Sequence, residues 1–185
     1  MIAPLAIDAV YCLIGLGSNL GDRSANLRAA AESIARWPEA SDVVLSRVWE
    51  NPACGGPPGQ GDFLNAALRA TVQGLTATEC LERLLAIERS LGRVRTVKNG
   101  PRTIDLDLLL FGEQVIDTAF LTVPHPDMHR RPFVLLPAAE IAAFLKHPTC
   151  AKTVAELARE LADVASMRPV EKDYGHHAYA HPEGR

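Results

Sequence analysis

A strict alternation of residue types over ten residues constrains the fold of this chain more than any other feature. The even positions from Leu64 to Val72 are all apolar, whereas the odd positions from Phe63 to Thr71 are mixed. Because successive side chains of a β-strand point to opposite faces of the sheet, this period of two predicts a strand with one face toward the core. Phe63 and Asn65 are then expected to project together from the other face.

A second segment shows the same period and carries two acidic residues. In Thr103–Phe111, Asp105 and Asp107 alternate with apolar positions, which are Ile104, Leu106, Leu108 and Leu110. A strand here places the two carboxylates on one face, with Cβ atoms roughly 6.5–7 Å apart, and the apolar side chains on the other. Carboxylate oxygens are suitable ligands for Mg²⁺. The pair is therefore a candidate metal site.

The other elements follow from apolar periodicity, capping residues and turn residues. Further strands are predicted at Ala9–Leu16, Asp42–Glu50 and Val115–Ile116. Helices are predicted from Asp22 to Arg36, from the capping box at Thr76 to Gly92, over Pro132–Ala142, and from Thr153 onward.

The order strand, helix, strand, strand, helix, strand is the split βαβ pattern of ferredoxin-like folds. Alternating strands favour a mainly antiparallel sheet with helices on one face. We therefore expect an α+β fold, a ferredoxin-like βαββαβ sheet whose other face is open to a substrate. That open face would carry Phe63, Asn65, Asp105 and Asp107.

Length and composition indicate one domain without a membrane span. The 185 residues suit a single domain, and 48% hydrophobic residues suffice for a core. The longest apolar run, Ala9 to Leu16, is far shorter than the roughly 20 residues that cross a bilayer. Because no Lys or Arg precedes Arg23, a signal peptide is not expected, and we predict a cytoplasmic protein. Residues 1–167 are predicted to form the domain and residues 168–185 a mobile C-terminal tail.

The cysteines and histidines show no metal-binding spacing. The four cysteines are too far apart for a CxxC pair, so neither a zinc knuckle nor a disulfide framework is expected; they are Cys12, Cys54, Cys80 and Cys150. Three of the six histidines, His176, His177 and His181, lie in the polar tail. We therefore expect no metal site from these residue types.

Basic residues cluster just before the two aspartates, although the formal net charge of the chain is −3. From residue 89 to 102 there are five cationic residues and no acidic one, namely Arg89, Arg93, Arg95, Lys98 and Arg102. Guanidinium groups bind phosphate oxygens, and carboxylates bind the accompanying Mg²⁺. The segment therefore indicates a polyphosphate–Mg²⁺ ligand. A solvated charge run and a weak RNA-binding patch remain the alternatives.

The segment that joins these two features matches a known signature. Residues 98–109 read Lys-Asn-Gly-Pro-Arg-Thr-Ile-Asp-Leu-Asp-Leu-Leu, which resembles the signature of the 6-hydroxymethyl-7,8-dihydropterin pyrophosphokinase family. The resemblance covers about residues 10–145. It is supported by four further segments, Gly15–Gly21, Asp62–Ala67, Gly92–Arg95 and Leu121–Pro126.

The resemblance implies transfer of the β,γ-pyrophosphoryl group of ATP to the hydroxymethyl oxygen of the dihydropterin, with release of AMP, in folate biosynthesis. It implies two Mg²⁺ ions held by Asp105 and Asp107. The implied catalytic residues are Arg93, Arg102 and Asp107. The implied ATP-binding residues are Glu88, Arg95, Thr122, His125 and Arg131. The implied pterin-binding residues are Asn51, Pro52, Cys54, Phe63, Asn65 and Phe133.

Two other functions remain open at this stage. The chain could be a non-catalytic pterin- or nucleotide-binding module, or a ferredoxin-like RNA-binding domain that uses the arginine-rich loop. Both metal-site carboxylates are present, and without Mg²⁺ they would repel nucleic-acid phosphates. We therefore expect the partners to be ATP and the pterin, with no nucleic acid or membrane partner, and a monomer.

Overall fold

The computed structural model describes residues 8–94, 100–162, 166–170 and 177–179. Nine strands are present in these ranges: β1 (Val10–Ser18), β2 (Ala40–Leu45), β3 (Trp49–Asn51), β4 (Phe63–Val72), β5 (Asp105–Phe111), β6 (Ile116–Asp117), β7 (Thr122–Val123), β8 (Arg168–Pro169) and β9 (His177–Tyr179). The four α-helices are α1 (Arg23–Ala35), α2 (Ala77–Ser90), α3 (Pro132–Ala142) and α4 (Val154–Leu161). A 3₁₀ turn spans Met128–Arg130.

The central sheet has the strand order β5-β1-β4-β2-β9, and every neighbouring pair in it is antiparallel. Strand β3 pairs with β4 and with β8. Helix α1 connects β1 to β2, and α2 connects β4 to β5, so each helix joins two strands that a third strand separates. The α+β class and the mainly antiparallel ferredoxin-like sheet are confirmed.

The helix ends form where the local sequence predicts them. The Asp22 side chain accepts a hydrogen bond of 3.0 Å from the Ala25 N–H at the start of α1. Thr76 and Glu79 form the capping box that begins α2, and each satisfies a backbone N–H of the other residue. Just after α2, Gly92 has a φ of +77°, which glycine adopts without a Cβ clash. Local hydrogen bonding is sufficient to set these boundaries.

The main hydrophobic core lies between the sheet and helices α1 and α2. Ile14, Leu68 and Phe111 from the sheet are fully buried, as are Ile34 of α1 and Leu84 of α2. This cluster holds the predicted apolar face of β4, together with Ile14 of β1. The alternation in β4 is therefore explained by burial of one face against the two helices.

The second face of the sheet is only half open, which corrects the expectation of helices on one face alone. Leu13 and Leu109 point from the sheet into a second core, where they join Leu135 and Ala138 of α3 and Leu157 of α4. Helix α3 is strongly apolar, and it buries its apolar surface against the sheet. It covers the half of this face where the strands carry apolar residues, and leaves the half that carries Asn65 and the aspartates.

Two strand irregularities also differ from the prediction. The register between β1 and β5 shifts between Leu13 and Ile14. Leu110, predicted on the same face as Leu108, therefore lies in the second core, and Phe111 lies in the main core instead. The strand predicted over Asp42–Glu50 is two strands, β2 and β3, and Asp42 has a φ of +49° where the β2 register shifts. A bulge of this kind inserts a residue and breaks the period of two.

Two short parts of the predicted tail pair with the sheet. Strand β8 lies beside β3, and β9 lies beside the edge strand β2. The rest of residues 168–185 lies outside the described residues, so mobility of the tail stays a prediction. Among the helices of the described part, none is long and apolar enough to cross a membrane.

Candidate active site

A cavity of about 390 Å³ occupies the uncovered half of the second sheet face. It lies between the N-terminal parts of β4 and β5, the start of α3 and the loop after β3. The predicted site residues that line it are Asn51, Cys54, Phe63, Asn65, Arg102, Asp105, Asp107, Arg131 and Phe133. The structure thus brings most of the predicted pterin residues and both predicted metal ligands into one cavity.

Glycines of β1 form the floor of the cavity. Gly17 pairs with Asn65 of β4 on one side and Asp105 of β5 on the other, and Gly15 pairs with Asp107. A Cβ atom on Gly17 would lie 3.0 Å from Asn65 Oδ1. Because this distance is shorter than most real Cβ contacts, a side chain at position 17 would force the Asn65 amide to shift by a few tenths of an ångström. The sequence analysis did not assign this role to the glycines.

We expect Gly17→Ala to weaken pterin binding by about tenfold while the protein stays folded. The new methyl group displaces the Asn65 amide, and a misplaced polar group costs about 1–3 kcal/mol of binding free energy. Fluorescence titration with the pterin measures the affinity. Gly74→Ala, outside the cavity, controls for general destabilisation, because its φ of +81° strains an alanine although its Cβ position has open space, and it should leave the pterin affinity unchanged. An unchanged affinity in Gly17→Ala would contradict this role of the floor.

An amide pair forms one end of the cavity. Asn65 Nδ2 donates a hydrogen bond of 2.6 Å to Asn51 Oδ1, and Asn51 Nδ2 donates one of 2.8 Å to the Pro52 carbonyl. Both asparagines are buried. Strand pairing of β3 with β4 sets Asn51 opposite Phe63, two residues before Asn65 on the chain. Amides in this position can donate to and accept from the edge of a heterocycle.

Two phenylalanines form apolar walls of the cavity. Phe63 begins β4, and Phe133 follows Pro132 in the first turn of α3. The Arg102 guanidinium lies 5.6 Å from the Phe63 ring centre, and the Arg131 guanidinium lies 5.9 Å from that of Phe133. Each ring therefore has a cation on one face at a distance that is favourable for cation–π attraction.

Charged side chains form a network behind the cavity. Asp105 forms ion pairs with Arg93 and Arg102, and Arg93 also pairs with Glu88. Glu88 Oε1 accepts a hydrogen bond of 2.8 Å from the Leu106 N–H on β5. The Glu88 and Arg93 side chains are only 3% and 9% exposed. Glu88 thus connects α2 to β5 and positions Arg93 beside Asp105.

The electrostatic environment of Asp107 suits a cation. Burial, followed by the negative charge of Asp105, raises the pKa of the Asp107 carboxyl above its ordinary value. Electrostatic interactions with His125, Arg131 and Arg93 oppose that rise in pKa. Two half-buried carboxylates that repel each other form a favourable donor set for a divalent cation, which offsets the repulsion and the cost of desolvation. The residues present therefore fit Mg²⁺.

Of the remaining predicted ATP residues, His125 and Arg131 lie close enough to Asp107 to act on its pKa. The His125 N–H donates to the Leu109 carbonyl at 2.9 Å, and His125 Nδ1 accepts from the Asp127 N–H at 3.2 Å. The second bond places the proton of a neutral imidazole on Nε2. Arg131 forms an ion pair with Asp127. Thr122 lies on β7, and Arg95 lies outside the described residues.

A protein-family model described as "7,8-dihydro-6-hydroxymethylpterin-pyrophosphokinase (HPPK)" matches residues 13–143. The chain belongs to this family. A relative from Synechocystis sp. named 2-amino-4-hydroxy-6-hydroxymethyldihydropteridine pyrophosphokinase is 40% identical over 158 residues, which cover 85% of this chain and 79% of the relative. A relative of the same name from Pseudomonas aeruginosa is 42% identical over 142 residues, 77% of this chain and 85% of that protein.

A solved structure of the HPPK-DHPS triple mutant S436F/A437G/A613T of Plasmodium falciparum, with pteroate, has the same fold. It superposes with a TM-score of 0.65 at 12% sequence identity and covers 88% of this chain. This chain spans only 45% of that protein. At this identity, the likeness shows the fold alone.

One contributor to this HPPK site was missed by the sequence analysis. The Asn19 N–H donates to the Arg102 carbonyl at 3.1 Å, and Asn19 Oδ1 accepts from the Arg102 N–H at 2.8 Å. Asn19 thereby holds the backbone of the arginine that contacts Asp105 and Phe63. Its place in the Gly15–Gly21 segment, which forms part of the HPPK resemblance, was the available signal. Arg130 also lines the cavity and was not predicted.

Proposed function

We propose that this chain transfers the β,γ-pyrophosphoryl group of ATP to 6-hydroxymethyl-7,8-dihydropterin and releases AMP, as a step of folate biosynthesis. The observation that carries the proposal is the juxtaposition of Asp105 and Asp107 with Phe63 and Phe133 in one cavity. Membership of the HPPK family and relatives at about 40% identity with that activity in their names support the same reaction.

The pterin occupies the end of the cavity formed by the two phenylalanines and the amide pair. A flat heterocycle between Phe63 and Phe133 buries both faces, and the guanidinium groups now beside those rings move aside or cover its edge. Asn51 and Asn65 pair with the polar edge of the pterin. Pro52 and Cys54 complete this end from the loop after β3. The hydroxymethyl group then points toward the aspartates.

ATP lies on the other side of the aspartates, along α2, β5 and β7. Cationic side chains neutralise its phosphates, and positioning of both substrates accounts for most of the rate. The pterin hydroxymethyl oxygen releases its proton to the solvent and forms a bond to the β-phosphorus, the bond from that phosphorus to the α–β bridging oxygen breaks, and AMP leaves. We assign Arg93 and Arg102 to the transferred group. Contacts with ATP are assigned to Glu88, Arg95, Thr122, His125 and Arg131.

Asp105 and Asp107 are the proposed ligands of two Mg²⁺ ions. When bound, Mg²⁺ supplies charge neutralisation at the phosphates and makes the β-phosphorus a better electrophile. The protein contributes the spacing of the two carboxylates on one strand face. It also contributes Arg93 and Arg102, which hold Asp105 in place.

The test of the reaction is AMP release from ATP and Mg²⁺, with and without 6-hydroxymethyl-7,8-dihydropterin. The proposal expects AMP only when the pterin is present, in equal amount to the pterin diphosphate formed. Pterin binding without AMP release would make the chain a binding module. Binding of oligonucleotides that weakens steeply with salt, without AMP release, would favour the RNA-binding alternative.

We expect Phe133→Ala to raise the pterin KM by about 10- to 100-fold and to leave the ATP KM within about twofold. Removing the ring deletes one wall of the pterin site, and base–aromatic stacking is worth roughly 1–3 kcal/mol. Phe144→Ala is the matched control, because Phe144 is 54% exposed and packs on Tyr11 rather than on the cavity. Equal increases of both KM values in Phe133→Ala would show that Phe133 is a core residue only.

Three further statements are proposals about the whole molecule. Residues 1–167 form the pyrophosphokinase domain, and residues 168–185 form a mobile C-terminal tail, in which the described strands β8 and β9 pair with the sheet. The protein is a cytoplasmic monomer. Light scattering of the purified chain measures the oligomeric state, and a mass of 20.0 kDa is the expected result.

A further inference from the structure

A second group of metal-ligating side chains lies outside the candidate active site. Potential ligand atoms of His129, His147 and Cys150 all lie within 4.8 Å of one another. His129 belongs to the 3₁₀ turn, whereas His147 and Cys150 belong to the loop between α3 and α4. None of the three lines the pterin cavity. Among the described residues, these three form the one group of at least three His, Cys, Asp or Glu side chains that is close enough to hold a metal ion.

Each histidine of this group has one ring nitrogen that forms no hydrogen bond with any described residue. His129 Nε2 accepts a hydrogen bond of 3.0 Å from Arg130 Nε, and His147 Nδ1 lies 3.2 Å from Thr149 Oγ1. The other nitrogens, His129 Nδ1 and His147 Nε2, are buried and have no hydrogen-bond partner within the described part of the chain. His147 is only 3% exposed. Buried polar atoms are normally paired, so two orphaned nitrogens beside one thiol indicate a missing ligand.

The donor set selects the class of ion. Two imidazole nitrogens and one thiolate suit Zn²⁺ and similar late transition metals, whereas Mg²⁺ and Ca²⁺ require oxygen ligands. In a tetrahedral zinc site, neighbouring ligand atoms are roughly 3.3–3.7 Å apart. The present limit of 4.8 Å therefore requires a contraction of about 1 Å. Cys150 is half-buried and His129 is half-buried, so a water molecule can take the fourth position.

The loop that carries two of the ligands is already shaped by backbone hydrogen bonds. The His147 N–H donates to the Lys152 carbonyl at 2.8 Å, and the Ala151 N–H donates to the His147 carbonyl at 3.1 Å. This tight turn places His147 and Cys150 on the same side, toward His129. The His129 and His147 rings meet edge to face with centroids 5.8 Å apart. The ligands therefore need little rearrangement of the backbone to bind an ion.

We propose that His129, His147 and Cys150 bind one zinc ion, which links the 3₁₀ turn to the α3–α4 loop. The ion takes His129 through Nδ1 and His147 through Nε2, and Cys150 binds as a thiolate after releasing its proton. Arg130 and Thr149 hold the remaining ring nitrogens and so orient both rings. Since the linked turn directly precedes Arg131 and α3, the site stabilises one wall of the cavity without contacting the substrates.

Metal binding to the full chain tests the proposal without any activity measurement. The protein is stripped with a chelator, and Zn²⁺ is titrated in competition with a chromophoric chelator. One equivalent of Zn²⁺ is expected to bind, and free Zn²⁺ at a hundredfold excess over Kd should raise Tm by about 5–10 °C. Co²⁺ in place of Zn²⁺ should show an absorption band from thiolate-to-metal charge transfer.

Two variants remove ligands, and two matched variants serve as controls. Cys150→Ser and His147→Gln should each weaken Zn²⁺ binding at least tenfold, and Cys150→Ser should abolish the charge-transfer band. Cys54→Ser, at another accessible cysteine, should keep both properties. The combined change of His176, His177 and His181 to Gln should keep them as well.

Three results would overturn the site. They are no tight Zn²⁺ binding by the wild type, a charge-transfer band that survives in Cys150→Ser, and binding that is lost with the tail histidines. The last result would assign the ion to residues 168–185. Because no outcome depends on the pterin or ATP, failure of the zinc site and failure of the proposed reaction are distinguishable.

Discussion

The variant Asp107→Ala is expected to reduce pterin-dependent AMP release by about a thousandfold or more. It removes one of the two carboxylates proposed to hold Mg²⁺ between the pterin and ATP. A thousandfold loss of rate corresponds to about 4 kcal/mol of transition-state stabilisation, within the several kcal/mol that a bound metal supplies. AMP release at saturating Mg²⁺ and ATP is the measurement. Retention of most of the activity would contradict the metal assignment.

A control and a binding measurement separate this effect from misfolding. Asp42→Asn changes an exposed carboxylate on β2, where Asn tolerates the φ of +49°, and it should keep the wild-type rate. Asp107→Ala should still bind the pterin within about threefold of the wild-type affinity, because Phe63, Phe133 and Asn65 are unchanged. Loss of pterin binding together with activity would indicate a distorted cavity instead of a lost metal ligand.

The raised pKa of Asp107 predicts that its charge lowers the stability of the metal-free protein. Burial and Asp105 make the ionised form less favourable in the folded state than in the unfolded chain. The free energy of unfolding therefore falls as the pH rises from the ordinary pKa of an aspartate through the raised pKa of Asp107. In a chelator at pH 7, the neutral near-isostere Asp107→Asn should be more stable than the wild type toward urea. This advantage should shrink as the pH falls toward 4.

Local patterns in the sequence predicted the elements well. Capping boxes at Thr76 and Thr153 and the proline that begins Pro132–Ala142 act within a few residues, so their hydrogen bonds form as the sequence indicates. The alternation in β4 and β5 likewise placed Asn65 and the aspartates on one face. Strand breaks were missed because a bulge such as that at Asp42 depends on pairing with β4.

Features that depend on distant contacts were not predictable in the same way. The sequence pattern of α3 shows an apolar helix, but its position on the second sheet face depends on which strand residues remain uncovered. The meeting of His129 with His147 and Cys150 likewise depends on how the α3–α4 loop folds back on the 3₁₀ turn. His147 and Cys150 have the two-residue spacing of a ligand pair, but His129 lies 18 residues before them, so no local motif joined the three.

The contribution of Glu88 to stability also depends on its environment and not on its residue type. Among the Glu–Arg ion pairs of the described residues, two can be compared directly, one buried and one partly exposed. The Glu88 and Arg93 side chains are 3% and 9% exposed, whereas those of Glu39 and Arg83 are 28% and 35% exposed. Surface pairs contribute about 0–1 kcal/mol, but removal of one partner from a buried pair costs about 3–5 kcal/mol.

We therefore expect Glu88→Ala to lower the free energy of unfolding by about 3 kcal/mol or more, and Glu39→Ala by less than about 1 kcal/mol. Glu88→Ala leaves the buried Leu106 N–H without its acceptor and leaves Arg93 paired with Asp105. Urea unfolding of both variants at pH 7 measures the difference.

Glu88→Gln separates the hydrogen bond from the charge. Its amide oxygen can still accept from the Leu106 N–H, but the residue no longer carries the negative charge that pairs with Arg93. An intermediate stability is expected, together with a raised KM for ATP, because Arg93 shifts toward Asp105 and away from the phosphates. If Glu88→Ala and Glu39→Ala lost equal stability, the connection between α2 and β5 through Glu88 would carry no more free energy than a surface ion pair.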